Sequence, residues 1–206
     1  MLPIQLYLAT GNPHKIGEVT AILAASGIAA QVFPPSAVGG MPEVVEDTGT
    51  FVGNAGKKAS ALAARLPAGA WALADDSGVC VDALGGEPGV ESAYYAGHPS
   101  NDAANNAKLL AALHGVPEAR RRAAFHCCIV AVSTTGRREV FEGRCPGRIL
   151  DAPRGTGGFG YDPLFLPDGC SVSYAELEDA VKNTLSHRAR ALQKLVAWLR
   201  AGGPAS

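Results

Sequence analysis

The chain has 206 residues, 47% of them hydrophobic and 18% charged, which fits a soluble globular protein and excludes a mainly disordered one. Its length favours a single domain that spans residues 1–206. The formal net charge is −1, from 18 lysines and arginines against 19 aspartates and glutamates. This balance argues against nucleic-acid binding and against an anionic membrane surface, because both need a strongly basic face, but it permits a small anionic ligand.

The N-terminal segment and the cysteines indicate a cytoplasmic protein. Residues 1–11 lack a basic region and have only a short apolar run, so no signal peptide is expected. No stretch approaches the roughly 20 apolar residues of a membrane span. The five cysteines are odd in number and form no Cys-x-x-Cys pair, which favours reduced, buried thiols over disulfides or a zinc site.

The first half of the chain alternates predicted strands and helices. Asn12 is a good N-cap and Pro13 a good first helical residue, and Thr50 can cap a second helix. The predicted elements are a strand at residues 4–9, a helix at 13–25, a strand at 31–33, a helix at 51–66, a strand at 71–74 and extended structure over 79–82.

The second half begins with a helix that Ser100 is predicted to cap. In chain order we predict a helix at residues 101–114, a strand at 123–133, a hairpin return over 139–143 that extends to 147–150, a loop at 151–169 and a final helix at 186–201. Ser173 and Glu176 match a capping box. The mixture of strands and helices predicts an α/β fold, with a mixed central sheet flanked by helices.

A candidate anion site lies where the first strand meets the first helix. Backbone N–H groups at a helix start, together with the helix dipole, favour a bound anion, and a lysine there adds a positive charge. The segment consists of Thr10, Gly11, Asn12, Pro13, His14 and Lys15. An ordinary capped helix with a surface lysine is the alternative.

Two pairs of adjacent acidic residues form the second candidate, Glu46 with Asp47 and Asp75 with Asp76. Neighbouring carboxylates repel each other unless a cation lies between them, and Mg²⁺ is commonly held by one or two carboxylates and the phosphates of a substrate. A solvated turn is equally compatible with the segment at residues 75–78.

A glycine-rich segment at residues 155–163 contains a G-x-G-x-x-G pattern. A dinucleotide-binding fold is not expected, because Pro163 prevents a helix from starting at the third glycine and no strand–helix unit surrounds the pattern. We expect instead a loop that presents Phe159 for stacking on a flat ligand. The alternative is a flexible loop with an anchoring aromatic residue.

Cations at the start of the last helix form the fourth candidate. Lys182 precedes it, and His187 and Arg188 lie in its first turn, where positive charge opposes the helix dipole. A bound anion or carbonyl group would offset that cost, so the segment is a candidate binding site. Solvated surface charges are the alternative.

Taken together and in this order, these segments resemble the inosine triphosphate pyrophosphatase family. The resemblance covers nearly the whole chain, and its further matches lie at residues 46–51, 54–55, 58–59, 74–78, 81–86, 88–90, 157–163, 175–177 and 182–188. It implies two lobes around a substrate cleft, a homodimer, and Mg²⁺-dependent hydrolysis of ITP, dITP and XTP to a monophosphate and pyrophosphate.

The resemblance also implies a role for each site residue. Glu46 and Asp76 would bind Mg²⁺, and Asp76, supported by Asp75, would activate the attacking water. Residues 10–15 and Lys58 would hold the triphosphate, and Ser77 would touch the substrate. The base pocket would consist of Phe159, Gly160, Tyr161, Asp162, Lys182, His187 and Arg188.

Two positions depart from the family pattern, Gly53 where a glutamate is frequent and Tyr94 where an arginine is frequent. Both changes remove a charge near the implied site. A nucleotide-binding regulator that senses purine nucleotides without cleaving them is the alternative function, although the paired carboxylates favour an enzyme.

Overall fold

A six-stranded sheet, in the order β2-β1-β3-β4-β5-β6, lies at the centre of the computed structural model, which describes residues 3–205. The strands are β1 (Ile4–Leu8), β2 (Ala30–Phe33), β3 (Trp71–Val81), β4 (Arg122–Ser133), β5 (Arg138–Ile149) and β6 (Phe165–Pro167). Strand β1 runs parallel to β2 and β3, whereas β5 and β6 are antiparallel. The predicted mixed sheet is therefore confirmed.

The helices are α1 (Pro13–Ala25), α2 (Phe51–Ala63), α3 (Asp102–Ala112), α4 (Asp179–Leu185) and α5 (His187–Arg200). Asn12 and Thr50 cap α1 and α2 as predicted: the side chain of Asn12 accepts two backbone N–H groups of the first turn, and that of Thr50 accepts one. The cap of α3 is Asn101, one residue later than predicted. No helix within residues 3–205 is long and apolar enough to cross a membrane.

Strand β3 differs from the prediction because it continues without a break through Asp75, Asp76 and Ser77. Val79 and Val81 are fully buried beyond the polar residues, so the strand has core contacts on both sides of them. Gly78 is required by a close approach rather than by a turn, since a Cβ there would lie 2.1 Å from the carbonyl oxygen of Gly89.

Strand β6 and helix α4 are also absent from the prediction. Residues 151–169 were expected to form only a loop, yet Phe165 is fully buried and pairs with Ile149 of β5. Helix α4 spans only seven residues, too few for a clear helical periodicity. The final helix begins at His187, close to its predicted start. The predicted capping box of Ser173 and Glu176 is confirmed.

The chain divides into two compact units. The first contains the residues up to Asp76, Cys127–Gly143 and the residues from Arg188 onward, and the second contains Ser77–His126 and Arg144–His187. Two units agree with the two lobes that the resemblance implies. The single domain and the cleft stay predictions.

Each unit has its own apolar core. In the first unit, alternate residues of β1 face opposite sides of the sheet, so Leu6 and Leu8 join a cluster that includes residues of α5, while Tyr7 joins a cluster with α2. Cys127 and Cys128 are divided between these clusters in the same way. The core of the second unit includes residues from β3, α3, β4, β5 and β6.

All five cysteines are thiols, as expected. Cys127, Cys128 and Cys145 are buried, whereas Cys80 and Cys170 are only half-buried. The prediction of buried thiols is therefore confirmed for three cysteines and wrong for two.

Candidate active site

Strand β3 places the two adjacent carboxylates Asp75 and Asp76 inside the protein, where they are 9% and 8% exposed. Successive residues of a strand point to opposite faces, so the two side chains meet different partners. Because an ionised carboxylate is costly to bury without compensating groups, those partners decide what each aspartate can do.

Asp75 is surrounded by positive charge. Its Oδ2 lies 2.9 Å from Nζ of Lys15 on α1 and 3.1 Å from Nη2 of Arg188 on α5. Arg188 also forms an ion pair with Glu18 of α1. Burial by itself would raise the pKa of Asp75, but the charges of Lys15 and Arg188 outweigh it and hold that pKa well below its usual range.

Asp76 has weaker partners. Its Oδ2 accepts a 3.2 Å hydrogen bond from Nδ2 of Asn54, and its Oδ1 lies 3.6 Å from Nζ of Lys58. Burial raises the pKa of Asp76, and the negative charge of Glu46 adds to this effect, together outweighing Lys58. The pKa values of two neighbouring carboxyl groups are therefore shifted in opposite directions, which is typical of sites that divide acid–base roles.

Asn54 and Thr48 are functional candidates to which the sequence analysis gave no role. Asn54 is buried on α2, and its Oδ1 accepts hydrogen bonds from the backbone N–H (3.2 Å) and the hydroxyl (2.8 Å) of Thr48. These contacts orient the amide so that its Nδ2 faces Asp76. The sequence signals were a polar residue in a predicted helix and the matches to the family pattern at residues 46–51 and 54–55.

The same contacts explain the departure at Gly53. A Cβ at this position would lie 2.2 Å from Oγ1 of Thr48, so a larger residue would displace the threonine that orients Asn54. Gly53 is therefore matched to Thr48 in this chain. Tyr94, the second departure, belongs to the second unit. There it stacks on His98 of the same unit, with ring centroids 4.0 Å apart.

The donor set around Lys58 fits a divalent cation. Nζ of Lys58 lies 2.8 Å from Oε2 of Glu46 and faces Asp76 as well, so a positive charge already lies between the two carboxylates predicted to hold Mg²⁺. Burial would lower the pKa of Lys58, but Asp76 and Glu46 outweigh it and raise that pKa.

Two carboxylates are enough for Mg²⁺. It prefers oxygen ligands and commonly takes one or two carboxylates, with waters and substrate phosphates completing its coordination. Within residues 3–205 no group of three or more histidine, cysteine, aspartate or glutamate side chains could hold a metal ion. The residues present therefore fit Mg²⁺ and do not form an all-protein cage.

The predicted anion site belongs to the same unit. Oδ1 of Asn12 accepts the backbone N–H groups of His14 (2.9 Å) and Lys15 (3.4 Å), while Oγ1 of Thr10 accepts that of Asn12 (3.1 Å). Gly11, Pro13 and His14 are exposed. The side chain of Lys15 reaches Asp75, so the structure brings the segment at residues 10–15 next to this carboxylate.

The glycine-rich loop belongs to the second unit and is anchored by a buried ion pair. Nζ of Lys182 lies 2.6 Å from Oδ2 of Asp162, and the same oxygen accepts the backbone N–H of Phe159 at 2.9 Å. Nζ of Lys182 also lies 5.0 Å from the centroid of the half-buried Phe159 ring. Gly158 permits this arrangement, since a Cβ there would lie 2.1 Å from Asp162 Oδ2.

The other residues predicted to contact the base or the substrate have varied surroundings. His187 is buried and stacks on Phe125, with ring centroids 4.7 Å apart. Tyr161 is also buried, and its hydroxyl donates a 2.8 Å hydrogen bond to the carbonyl oxygen of Ser92. Ser77 is half-buried on β3.

Arg188 follows His187 in the chain but contacts the carboxylates of the first unit. The structure thus groups the predicted residues into two sets. The set in the first unit holds Thr10, Gly11, Asn12, Pro13, His14, Lys15, Glu46, Lys58, Asp75, Asp76 and Arg188, and the set in the second unit holds Ser77, Phe159, Gly160, Tyr161, Asp162, Lys182 and His187. Their individual roles stay predictions.

Comparison with known sequences gives consistent matches along the chain. A profile described as the Ham1 family matches residues 6–198. A protein of Opitutus terrae named dITP/XTP pyrophosphatase is 58% identical over 201 residues, which cover 96% of this chain and 99% of that protein. One of the same name from Geobacter sulfurreducens is 50% identical over 191 residues, covering 93% of this chain and 94% of its own length.

Solved structures resemble this one over a similar extent. A HAM1 protein from Coxiella burnetii has a TM-score of 0.87 at 35% identity and covers 96% of this chain and 99% of its own. A nucleoside-triphosphatase described as a dITP/XTP pyrophosphatase from Mycobacterium abscessus has a TM-score of 0.76 at 40% identity, covering 93% of this chain and 98% of its own. The α/β fold is thus shared with both.

Proposed function

Because the chain belongs to the Ham1 family, we propose that it is a noncanonical purine nucleoside triphosphate pyrophosphatase. Its substrates are dITP, XTP and ITP, which it hydrolyses between the α and β phosphates to a nucleoside monophosphate and pyrophosphate. The relatives named dITP/XTP pyrophosphatase support this substrate class. The reaction removes these nucleotides from the pool available to polymerases.

The contrast between Asp75 and Asp76 carries the proposal. Asp75 is held by close ion pairs with Lys15 and Arg188, at 2.9 and 3.1 Å, whereas Asp76 has only a 3.2 Å hydrogen bond from Asn54 and a 3.6 Å contact with Lys58. We assign to Asp76 the proton of the attacking water, whose oxygen forms the new bond to phosphorus while the anhydride bond breaks. Asp75 supports Asp76 indirectly, because it neutralises the positive charges of Lys15 and Arg188.

The first unit holds the phosphates in this proposal. Glu46 and Asp76 would hold Mg²⁺, and the ion would supply neutralisation of charge on the phosphate oxygens. Lys15 and Lys58 already face carboxylates, and each would also contact phosphate oxygens. Residues 10–15 place backbone N–H groups at the start of α1, where an anion is favoured. Phosphoryl transfer depends mainly on such positioning and charge neutralisation.

The second unit supplies the base contacts. Phe159 stacks on the purine, while Gly160, Tyr161, Lys182 and His187 bind its edge and Ser77 contacts the substrate. Inosine and xanthine carry a carbonyl group at position 6, which accepts a hydrogen bond from a protein donor, whereas adenine carries an amino group that leaves the donor unpaired. Asp162 and Arg188 are assigned first to positioning Phe159 and Asp75, because their charged groups are bound there.

The assembly and location are further parts of the proposal. The family resemblance supports a homodimer, and the free cysteines support a cytoplasmic location. The near-neutral net charge of −1 supports a small nucleotide rather than a nucleic acid or membrane as the partner.

Product analysis tests the reaction. The purified chain is incubated with Mg²⁺ and dITP, XTP, ITP, GTP or ATP, and pyrophosphate and orthophosphate are measured separately. We expect pyrophosphate from the first three and little product from GTP and ATP. Orthophosphate as the primary product would exclude cleavage between the α and β phosphates. Tight dITP binding by calorimetry without turnover would instead identify a nucleotide sensor.

A further inference from the structure

Helix α3 carries polar side chains that none of the roles above uses. Oδ1 of Asn101 caps the helix by accepting the N–H of Ala104 at 2.9 Å. Asn105 is buried and joins two parts of the preceding segment, accepting from the N–H of Ala96 at 2.7 Å and donating to the carbonyl of Ala93 at 3.0 Å. These two residues stabilise the helix and the segment before it.

Asp102 and Asn106 instead bind a single residue of the glycine-rich loop. Oδ2 of Asp102 accepts the backbone N–H of Gly160 at 2.7 Å, and Nδ2 of Asn106 donates to the carbonyl of Gly160 at 2.9 Å. Residues spaced by one helical turn lie on the same face, so one side of α3 binds both the backbone N–H and the carbonyl of Gly160. Gly160 has a φ of +61°, a conformation that other residues rarely adopt.

These contacts complete the fixation of the backbone around Phe159. The N–H of Phe159 donates to Oδ2 of Asp162 at 2.9 Å, and the carbonyl of Phe159 accepts the N–H of Asp162 at 3.2 Å. With the two contacts at Gly160, both polar groups of both residues have partners. The proposed base-stacking ring is therefore attached to a backbone held on two sides.

Asn106 gives independent support. Its Oδ1 is buried and accepts no hydrogen bond from any residue in the described range 3–205. A buried acceptor without a partner is unfavourable, so an asparagine here is costly for the fold alone. The hydrogen bond from its Nδ2 to Gly160 accounts for the amide.

We propose that Asp102 and Asn106 are positioning residues that hold the Phe159 ring in the orientation that stacks on the purine base. This inference rests on the proposed function and deepens it, since it assigns part of base recognition to a helix outside the predicted pocket. A loop ordered in advance binds more tightly, because less conformational freedom is lost when the ligand is bound.

The kinetic test compares four variants with dITP as the substrate. Asp102→Ala and Asn106→Ala should each raise KM about tenfold while kcat changes less than about twofold. The reason is that the loop that carries Phe159 becomes less ordered, whereas the proposed base, Asp76, is unchanged. Asp102→Asn keeps an oxygen acceptor and should restore a KM close to wild type. Asn101→Ala is the matched control, which removes the cap of the same helix and should lower Tm without raising KM.

Amide hydrogen exchange gives a readout that does not depend on the reaction. The Gly160 N–H should exchange faster in Asp102→Ala, and remain protected in Asp102→Asn and Asn101→Ala. An equal rise of KM in Asn101→Ala would reduce the effect to helix stability and overturn the proposal. Unchanged KM and exchange in both alanine variants would also overturn it.

The proposed function can fail separately from this inference. Wild-type protein that releases no pyrophosphate from dITP would contradict the function, whereas the exchange measurement still decides whether α3 orders the loop. Faster Gly160 exchange without a change in KM for an active enzyme would show that the ordering is real but not used for binding, and would overturn the positioning role.

Discussion

The two units of the protein build their candidate sites from different interactions. In the first unit, charged side chains neutralise one another, as Asp75 does with Lys15 and Arg188. In the second, the Phe159 loop is fixed mainly through backbone groups, with support from the ion pair of Lys182 and Asp162. The first arrangement suits phosphate and metal chemistry, and the second suits recognition of a flat ring.

This difference has consequences for substitution. Removal of a charge from the first unit should change kcat or the free energy of unfolding, because its groups depend on each other electrostatically. Loss of a loop contact in the second unit should act mainly on KM, because it changes the order of a binding surface.

The largest effect is expected for Asp76→Asn. Loss of the proposed proton acceptor should lower kcat about 10³-fold, the usual range for a general base. Stability should be retained or increased, since burial raises the pKa of Asp76 and thus disfavours its charged form in the fold. Pyrophosphate release and thermal unfolding measure the two effects.

Asp168→Asn is the control for that variant, because Asp168 is an exposed acid that pairs with Arg122 outside the proposed site. Its kcat should match wild type. If Asp76→Asn kept kcat within tenfold of wild type, Asp76 would lose its assignment as the base.

Asp75→Asn should affect stability most. Removal of one partner from a buried ion pair costs about 3 kcal/mol, which in a chain of this size lowers Tm by roughly 6–12 °C. The low pKa of Asp75 in the fold means that its contribution is complete at neutral pH and is lost as the pH falls below about 4, where the unfolded chain takes up the proton.

Thermal unfolding as a function of pH checks this sign. The difference in Tm between wild type and Asp75→Asn should be constant above about pH 5 and should narrow in more acidic buffer. A Tm equal to that of wild type at pH 7 would contradict the buried network described for the first unit.

Phe159→Ala tests the second unit. Loss of base stacking should raise KM for dITP on the order of tenfold while kcat changes little. Phe159→Tyr keeps the ring and should have a KM near wild type. A fall in kcat at constant KM would place Phe159 in the chemical step and remove the distinction between the units.

The smallest effect is expected at an exposed ion pair of the second unit. Arg122 contacts both carboxylate oxygens of Asp168, at 2.7 and 2.8 Å, with about half of each side chain in solvent. Asp168→Asn should change the free energy of unfolding by less than about 1 kcal/mol, measured by urea denaturation. If Asp168→Asn lost as much free energy of unfolding as Asp75→Asn, burial would not explain why the two ion pairs are expected to differ in stability.

Local sequence signals predicted much of the fold. Asn12, Pro13 and Thr50 set the starts of α1 and α2 because caps act through neighbouring backbone groups. The apolar run of β1 and the capping box at Ser173 are equally local. The unbroken course of β3 was not predictable, because its polar residues are held within the sheet by distant core contacts.

The sequence predicted which residues belong to the candidate site better than it predicted which of them contact each other. Asp75, Asp76, Lys15 and Glu46 were identified from their types and spacing. Their pairing was not, since Lys15 and Arg188 reach Asp75 from helices far apart in the chain. No role was predicted for Thr48, because nothing beside it in the sequence reveals the contact with Asn54.

The sequence by itself determined the α/β class, the principal elements and a set of residues suited to phosphate, metal and base chemistry. Only the tertiary structure decided that Asp75 pairs with two cations and that burial raises the pKa of Asp76. It also decided that side chains of α3 bind the backbone of Gly160. Caps and periodicity depend on neighbours in the chain, whereas pKa values and loop order depend on neighbours in space, which folding alone brings together.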